Sequence, residues 1–208
     1  MIKLQSYILF PEYQINTYLL WDSQSKEAIL IDPGAPSHAL VKYIKEQQLL
    51  VKMIVNTHGH GDHIGGNAFF AQELGCPIAI HPLDAPMLMD NRKNMSEYMG
   101  TPLPLKAAEL LLNEGDEVLL GNTPVRIIHT PGHTPGGICL LAGKYLISGD
   151  TLFEQSIGRT DFPGGNHASL IKCIKEKLFV LPDDVLVYPG HGPSTSIGLE
   201  KANNPFVR

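Results

Sequence analysis

The sequence predicts an α/β fold in which two sheets pack together with helices outside, a four-layer body. Three observations carry this expectation. In the first half, short apolar runs bounded by Gly, Pro and Asp alternate with longer segments of helical period. The second half shares the order of strands followed by a helix. No stretch of the 208 residues is polar and loose enough to serve as a linker, so a single domain spanning residues 1–208 is expected.

Taken in order, residues 14–21 and 28–31 read as strands joined by a turn through Asp22-Ser23-Gln24-Ser25. Pro33-Gly34 breaks the chain. Residues 37–48 read as a helix with Leu40, Ile44 and Tyr43 on its inner face. Residues 51–55 form a short apolar strand, 63–74 the following helix, and 76–80 another strand. A helix is expected over 82–91, with proline in its first turn. Residues 92–110 are less regular and contain Met95, Tyr98, Met99, Gly100, Pro102 and Pro104. Residues 110–121 form a turn-rich approach to a hairpin. Strands are expected at 117–120, 125–130, 138–141 and 145–148. Residues 167–178 read as a helix whose Leu170, Ile171 and Ile174 face a core. Residues 185–188 make a final strand and 198–203 a closing helical turn.

Bulk properties exclude several classes. A formal net charge of -5 gives no basis for holding a nucleic-acid backbone. No apolar run approaches the ~20 residues of a membrane span. The first sixteen residues carry Lys3, Gln5, Glu12 and Gln14 and lack the apolar centre of a signal peptide. Cys76, Cys139 and Cys173 are scattered and odd in number, against a disulfide framework. A reducing, cytoplasmic setting is therefore expected.

The chemistry lies in His58-Gly59-His60-Gly61-Asp62-His63, which directly follows an apolar strand. Three imidazoles and a carboxylate in six residues are hard to explain as core or as surface. His58 and His60 can converge across an extended Gly59, whereas Asp62 and His63 open the next helix. Two metals side by side accommodate this: one takes the i,i+2 histidines and the other the Asp-His pair. Divalent zinc accepts both ligand types and tolerates an open position. His133 (in Thr130-Pro131-Gly132-His133), Asp150 (in Gly149-Asp150) and His191 (in Pro189-Gly190-His191-Gly192) each leave a strand beside glycine. Rigid scaffolds aim ligands from such loops. Asp32 could orient a ligand histidine through its second nitrogen, or cap a turn. Structural roles are the expectation for His38, His81, His129 and His167.

With these motifs the chain resembles the metallo-beta-lactamase superfamily over roughly residues 14–191. The resemblance implies an alpha-beta/beta-alpha sandwich with a dinuclear site at one edge. It implies that His58, His60 and His133 bind one metal, that Asp62, His63 and His191 bind the second, and that Asp150 bridges them. Finer likeness, in Gly149-Asp150-Thr151-Leu152-Phe153, Gly158-Arg159-Thr160-Asp161-Phe162-Pro163 and Asn204-Pro205-Phe206, is to the short type II glyoxalases, or hydroxyacylglutathione hydrolase-like proteins. The implied reaction is hydrolysis of a thioester such as S-D-lactoylglutathione by a metal-bridging hydroxide. Asp62 and Asp150 are then the carboxylates of the catalytic centre, Asp62 as ligand rather than base. The implied cofactors are two divalent ions, zinc first, with iron or manganese as alternatives. Arg159 could bind a substrate carboxylate or pair with Asp161. Long type II glyoxalases carry a helical C-terminal extension, and this chain stops soon after Pro193. Related alternatives are a mononuclear iron persulfide dioxygenase using His58, His133 and Asp150, which shares Gly-Arg-Thr-Asp-Phe, and a dinuclear lactonase. A beta-lactamase is disfavoured because Asp150 stands where a thiol ligand would. A noncatalytic metal-binding protein is the reading from a different class.

Overall fold

The computed structural model describes residues 1–100 and 102–207. One six-stranded sheet comprises β1 (Ile2–Phe10), β2 (Ile15–Asp22), β3 (Glu27–Ile31), β4 (Leu50–Val55), β5 (Ile78–Ile80) and β6 (Leu110–Leu111), in that order across the sheet. Chain order continues with β7 (Glu117–Leu120), β8 (Thr123–His129), β9 (Ile138–Ala142) and β10 (Tyr145–Gly149). A two-stranded hairpin follows, β11 (Leu152–Phe153) and β12 (Ser156–Ile157), then β13 (Leu186–Pro189) and β14 (Thr195–Ser196). The second sheet is ordered β14-β13-β10-β9-β8-β7. The helices are α1 (His38–Glu46), α2 (Gly61–Ile64), α3 (Asn67–Leu74), α4 (His167–Cys173) and α5 (Ile197–Asn203).

Strand periodicity produces the layers. Tyr18, Leu20, Ile29, Ile31 and Val55 are buried with Leu120, Val125, Ile127, Ile138 and Leu140, so these faces of the two sheets form the central core. The alternate residues Leu19, Ala28, Leu30, Ile54 and Ile78 point the other way, against Leu40 and Ile44 of α1 and Phe70 of α3. On the far side, Ile128, Cys139, Leu146 and Val187 pack on Leu170 of α4, Ile174, and Ile197 of α5. Central strands apolar on both faces are what two-sided burial requires. Each such large side chain contributes roughly 1.5–3 kcal/mol. The predicted four-layer sandwich is therefore the observed one. No helix among the described residues is long and apolar enough to cross a membrane.

Ser37 and Asn166 cap α1 and α4 by accepting from Leu40 N and Ser169 N. The expected helix over 63–74 is broken into α2 and α3 at Gly65-Gly66. A Cβ on Gly65 would lie 2.3 Å from the Gly34 carbonyl oxygen, so the break lets this segment run against the Pro33-Gly34 turn. The expected helix over 82–91 is only a 3-10 turn at Ala85–Met89, because Asp84 turns its side chain into tertiary hydrogen bonds. The 167–178 helix is α4 continued by a π turn at Ile174–Leu178. Strand β1 was not expected. As an edge strand it directs Ile2 and Leu4 to the central core but Tyr7 and Leu9 to the outer one, which blurs its alternation. Within 92–110, a 3-10 turn occupies Ser96–Met99 before β6, and residue 101 lies outside the described residues.

His81, buried at the end of β5, stacks on His129 at 4.0 Å between centroids. Its Nδ1 accepts the Leu83 N–H at 3.3 Å, an arrangement that needs a neutral ring. Burial, and then the neighbouring His129, lower its pKa from 6.5 to about 4. Between those values the unfolded chain binds a proton that the folded chain does not. The stability His81 contributes is thus complete above pH 6.5 and is lost as pH falls through 4. His81→Gln is expected to flatten the decline in stability over this window. Urea midpoints of variant and parent across it check this, and an unchanged slope rejects it.

Candidate metal centre

Every ligand expected from the sequence leaves the end of a strand. The His58–His63 hexapeptide follows β4 and opens α2, His133 lies on the loop after β8, and Asp32, expected to orient a ligand, follows β3. Asp150 follows β10, and His191 follows β13. The exits meet. His58, His60 and His133 bring one ligand atom each within 4.8 Å of one another, and so do Asp62, His63 and His191. A third such group, His58, His63 and Asp150, spans the two. Asp150 Oδ1 is 3.4 Å from His63 Nε2, while its Oδ2 is 3.5 Å from His133 Nε2 and 3.6 Å from His191 Nε2. His191 Nε2 also lies 3.3 Å from Asp62 Oδ2.

The donors are poised for a cation. The buried side-chain atoms without a hydrogen-bond partner among the described residues are Tyr7 Oη and three atoms of this cluster: His58 Nε2, His63 Nε2 and Asp150 Oδ1. Buried polar atoms are otherwise nearly always paired. Imidazole nitrogens and carboxylate oxygens at this spacing fit a dinuclear divalent-metal site.

A surrounding set of hydrogen bonds aims the ligands. Asp32 Oδ1 accepts the Thr57 N–H at 2.7 Å, and its Oδ2 accepts the Thr57 hydroxyl at 2.6 Å and faces His63 Nδ1 at 3.0 Å. His133 Nδ1 donates to the Arg159 carbonyl at 2.7 Å, and His191 Nδ1 donates to the Tyr13 carbonyl at 3.0 Å. Each arrangement turns the other ring nitrogen into the cluster. Gly190 lets the backbone pass close by, since a Cβ there would lie 2.2 Å from Asp150 Oδ1.

Electrostatics divide the cluster. Burial, reinforced by neighbouring imidazoles, holds His58 well below its ordinary pKa and lowers His60 to about 3. These rings are neutral and offer lone pairs. Burial opposes charge on His63 as well, but the carboxylates of Asp150, Asp62 and Asp32 outweigh it and hold its pKa well above the usual value. Burial likewise works against ionisation of Asp150, and the charges of His63 and His133 overcome it, keeping that carboxyl well below the ordinary range.

A cavity of about 480 Å³ opens onto this cluster, walled by Met95, Tyr98, Met99, Phe153, Phe162 and Arg159. Among the described residues, Arg159 is the one Lys or Arg in the wall. Its Nε and Nη2 donate to the Asp161 carboxylate at 2.7 Å each, and its guanidinium stacks 3.8 Å over Phe162. His38 lies against Phe69 and His167 opens α4, both outside the site. Sequence reasoning missed Asp84, whose buried carboxylate bonds to both histidine-bearing loops. The available signal was its position just beyond a strand, like the ligands.

The metallo-beta-lactamase superfamily model matches residues 10–191, nearly the whole chain. The chain belongs to this superfamily. Among its superfamily relatives, hydroxyacylglutathione hydrolase GloC of Haemophilus influenzae is 37% identical over 199 residues, covering 94% of this chain and 93% of GloC. The crystal structure of BLEG-1 B3 metallo-beta-lactamase is 37% identical with a TM-score of 0.91, covering 99% of both chains. The structure of TTHA1623 in a di-iron-bound form is 34% identical with a TM-score of 0.85, covering 97% of this chain and 99% of that one. The short type II glyoxalase likeness read in the sequence thus has a relative at full length.

Proposed function

We propose that this protein is a metal-dependent hydrolase that cleaves thioesters, with S-D-lactoylglutathione or another hydroxyacylglutathione as substrate. The carrying observation is the split ligand cluster at the floor of the cavity, supported by full-length similarity to GloC. His58, His60 and His133 would hold one ion, Asp62, His63 and His191 the other, and Asp150 would lie between them. Zinc suits this donor set, and the di-iron-bound relative makes iron the competing occupant. Bound there, such ions supply a hydroxide nucleophile near neutral pH and polarise a carbonyl.

The residues of the chain do the rest. The half-buried carboxylates of Asp150 and Asp62 keep the site anionic enough to retain divalent charge. Asp32 and the Tyr13 and Arg159 carbonyls fix the imidazole orientations. The methionine and aromatic wall offers an apolar surface to the acyl group. Arg159 is assigned to the substrate's polar end, as the one guanidinium among the described residues that faces the cavity.

A thiolate, with a pKa near about 8.5, leaves without a proton donor. A lactam nitrogen needs one, and among the described residues every imidazole and carboxyl lining the cavity already belongs to the metal cluster. Similarity to BLEG-1 nevertheless makes β-lactam hydrolysis the second reading. The test is kcat/KM on S-D-lactoylglutathione, a β-lactam and a lactone, with oxygen uptake on glutathione persulfide measured alongside. Thioester turnover exceeding the others by at least about tenfold, or about 1.4 kcal/mol, is expected. Oxygen consumption without thioester cleavage, or a preference for the β-lactam, overturns the proposal.

A further inference from the structure

Asp84 sits in the Pro82-Leu83-Asp84-Ala85-Pro86 turn after β5, fully buried and outside the ligand set. Its carboxylate joins two segments distant in sequence. Oδ2 accepts the Gly59 N–H at 3.1 Å and the Thr134 hydroxyl at 2.7 Å, and Oδ1 accepts the Gly136 N–H at 2.7 Å. Gly59 is the residue between His58 and His60, and Thr134 follows His133 directly. One carboxylate thus ties together the two loops that present the three-histidine group. His63 and His191 of the other group have contacts of their own, with Asp32 and the Tyr13 carbonyl, and Asp32 also bonds Thr57 beside His58.

We infer that Asp84 is a positioning residue for one half of the metal centre, setting the spacing of His58, His60 and His133 while leaving Asp62, His63 and His191 unaffected. This rests on the ligand assignment proposed above. The physical reason is geometric. Ligand sites need their side chains held to within about 0.5 Å, and a loop is held that closely only when its backbone is tied down. An anionic acceptor makes stronger bonds to N–H and O–H donors than a neutral one does. It also takes donors at both oxygens, which an amide cannot.

Asp84→Asn keeps size and shape but turns an NH2 group toward at least one of the donors that the carboxylate accepts. Thr134→Val removes a single donor and leaves both backbone N–H groups bonded. Metal-stripped proteins are titrated with Zn2+ against a chromophoric chelator, and imidazole 15N spectra are recorded at one and two equivalents. The wild type is expected to bind two zinc ions. In Asp84→Asn, one of the two affinities is expected to fall by roughly 10- to 100-fold, the usual effect of removing an outer-sphere partner. In the half-loaded variant, His63 and His191 then carry zinc-bound shifts while His58, His60 and His133 do not. Thr134→Val shows a smaller loss at the same site and decides the matter if Asp84→Asn does not fold. Wild-type affinities at both sites in the folded variants, or equal weakening of both sites, overturn the role of Asp84. Wild-type protein that takes up fewer than two zinc equivalents overturns the ligand assignment itself, and this inference with it.

Discussion

Replacing Asp150 with Ala is expected to lower thioester hydrolysis by at least about 10³-fold, because nucleophile generation and charge stabilisation are lost together. Metal content should fall below that of the parent in the same preparation. The reason is position. Asp150 is the carboxylate that faces both ligand groups among the described residues, with Oδ1 facing His63 and Oδ2 facing His133 and His191. It also supplies much of the negative charge that keeps the His63 pKa high. An Asp150→Asn variant keeps the shape and removes the charge, so an equal loss there assigns the effect to charge rather than packing. Measured kcat/KM and elemental analysis check both expectations. Full turnover in either variant rejects the proposed centre.

Asp32→Ala is expected to cost about 3–5 kcal/mol of stability, the range seen when one partner of a buried charged network is removed. Three groups lose their acceptor at once: the Thr57 N–H, the Thr57 hydroxyl and His63 Nδ1. Asp32 also adopts a φ of 48°, a left-handed conformation that Asp and Asn tolerate better than Ala. Asp32→Asn should therefore be the milder change. Urea unfolding of the metal-free proteins measures the difference in midpoint at constant slope. A shift below about 1 kcal/mol, inside the range of an ordinary surface substitution, would contradict the role assigned to this network.

Much of the donor cluster was legible because its candidate ligands are local signals. The hexapeptide places four candidate donors in six residues, and His133, Asp150 and His191 share a setting at glycine-flanked strand exits. β2 and β3 were legible as apolar runs, but the packing is what sets Leu20 and Ile31 on one face and Leu19 and Leu30 on the other. What stayed hidden depends on partners distant in the chain. The break at Gly65-Gly66 answers to the Gly34 carbonyl, which no local pattern marks. Asp84 reads as an ordinary residue of a proline-started helix until Gly59, Thr134 and Gly136 are brought to it. Parallel pairing of β10 with β13 crosses α4 and cannot be inferred from either strand alone. Arg159 was left between two roles. The structure shows the pair with Asp161 and also places the guanidinium on the cavity wall.

The most direct measurement is a zinc titration of metal-stripped protein in which bound metal and thioester hydrolysis are followed together. Two equivalents should bind per chain, with hydrolysis of S-D-lactoylglutathione reaching its maximum only as the second is taken up. Full activity at a single equivalent, or two bound equivalents with no thioester turnover, would contradict a dinuclear thioester hydrolase.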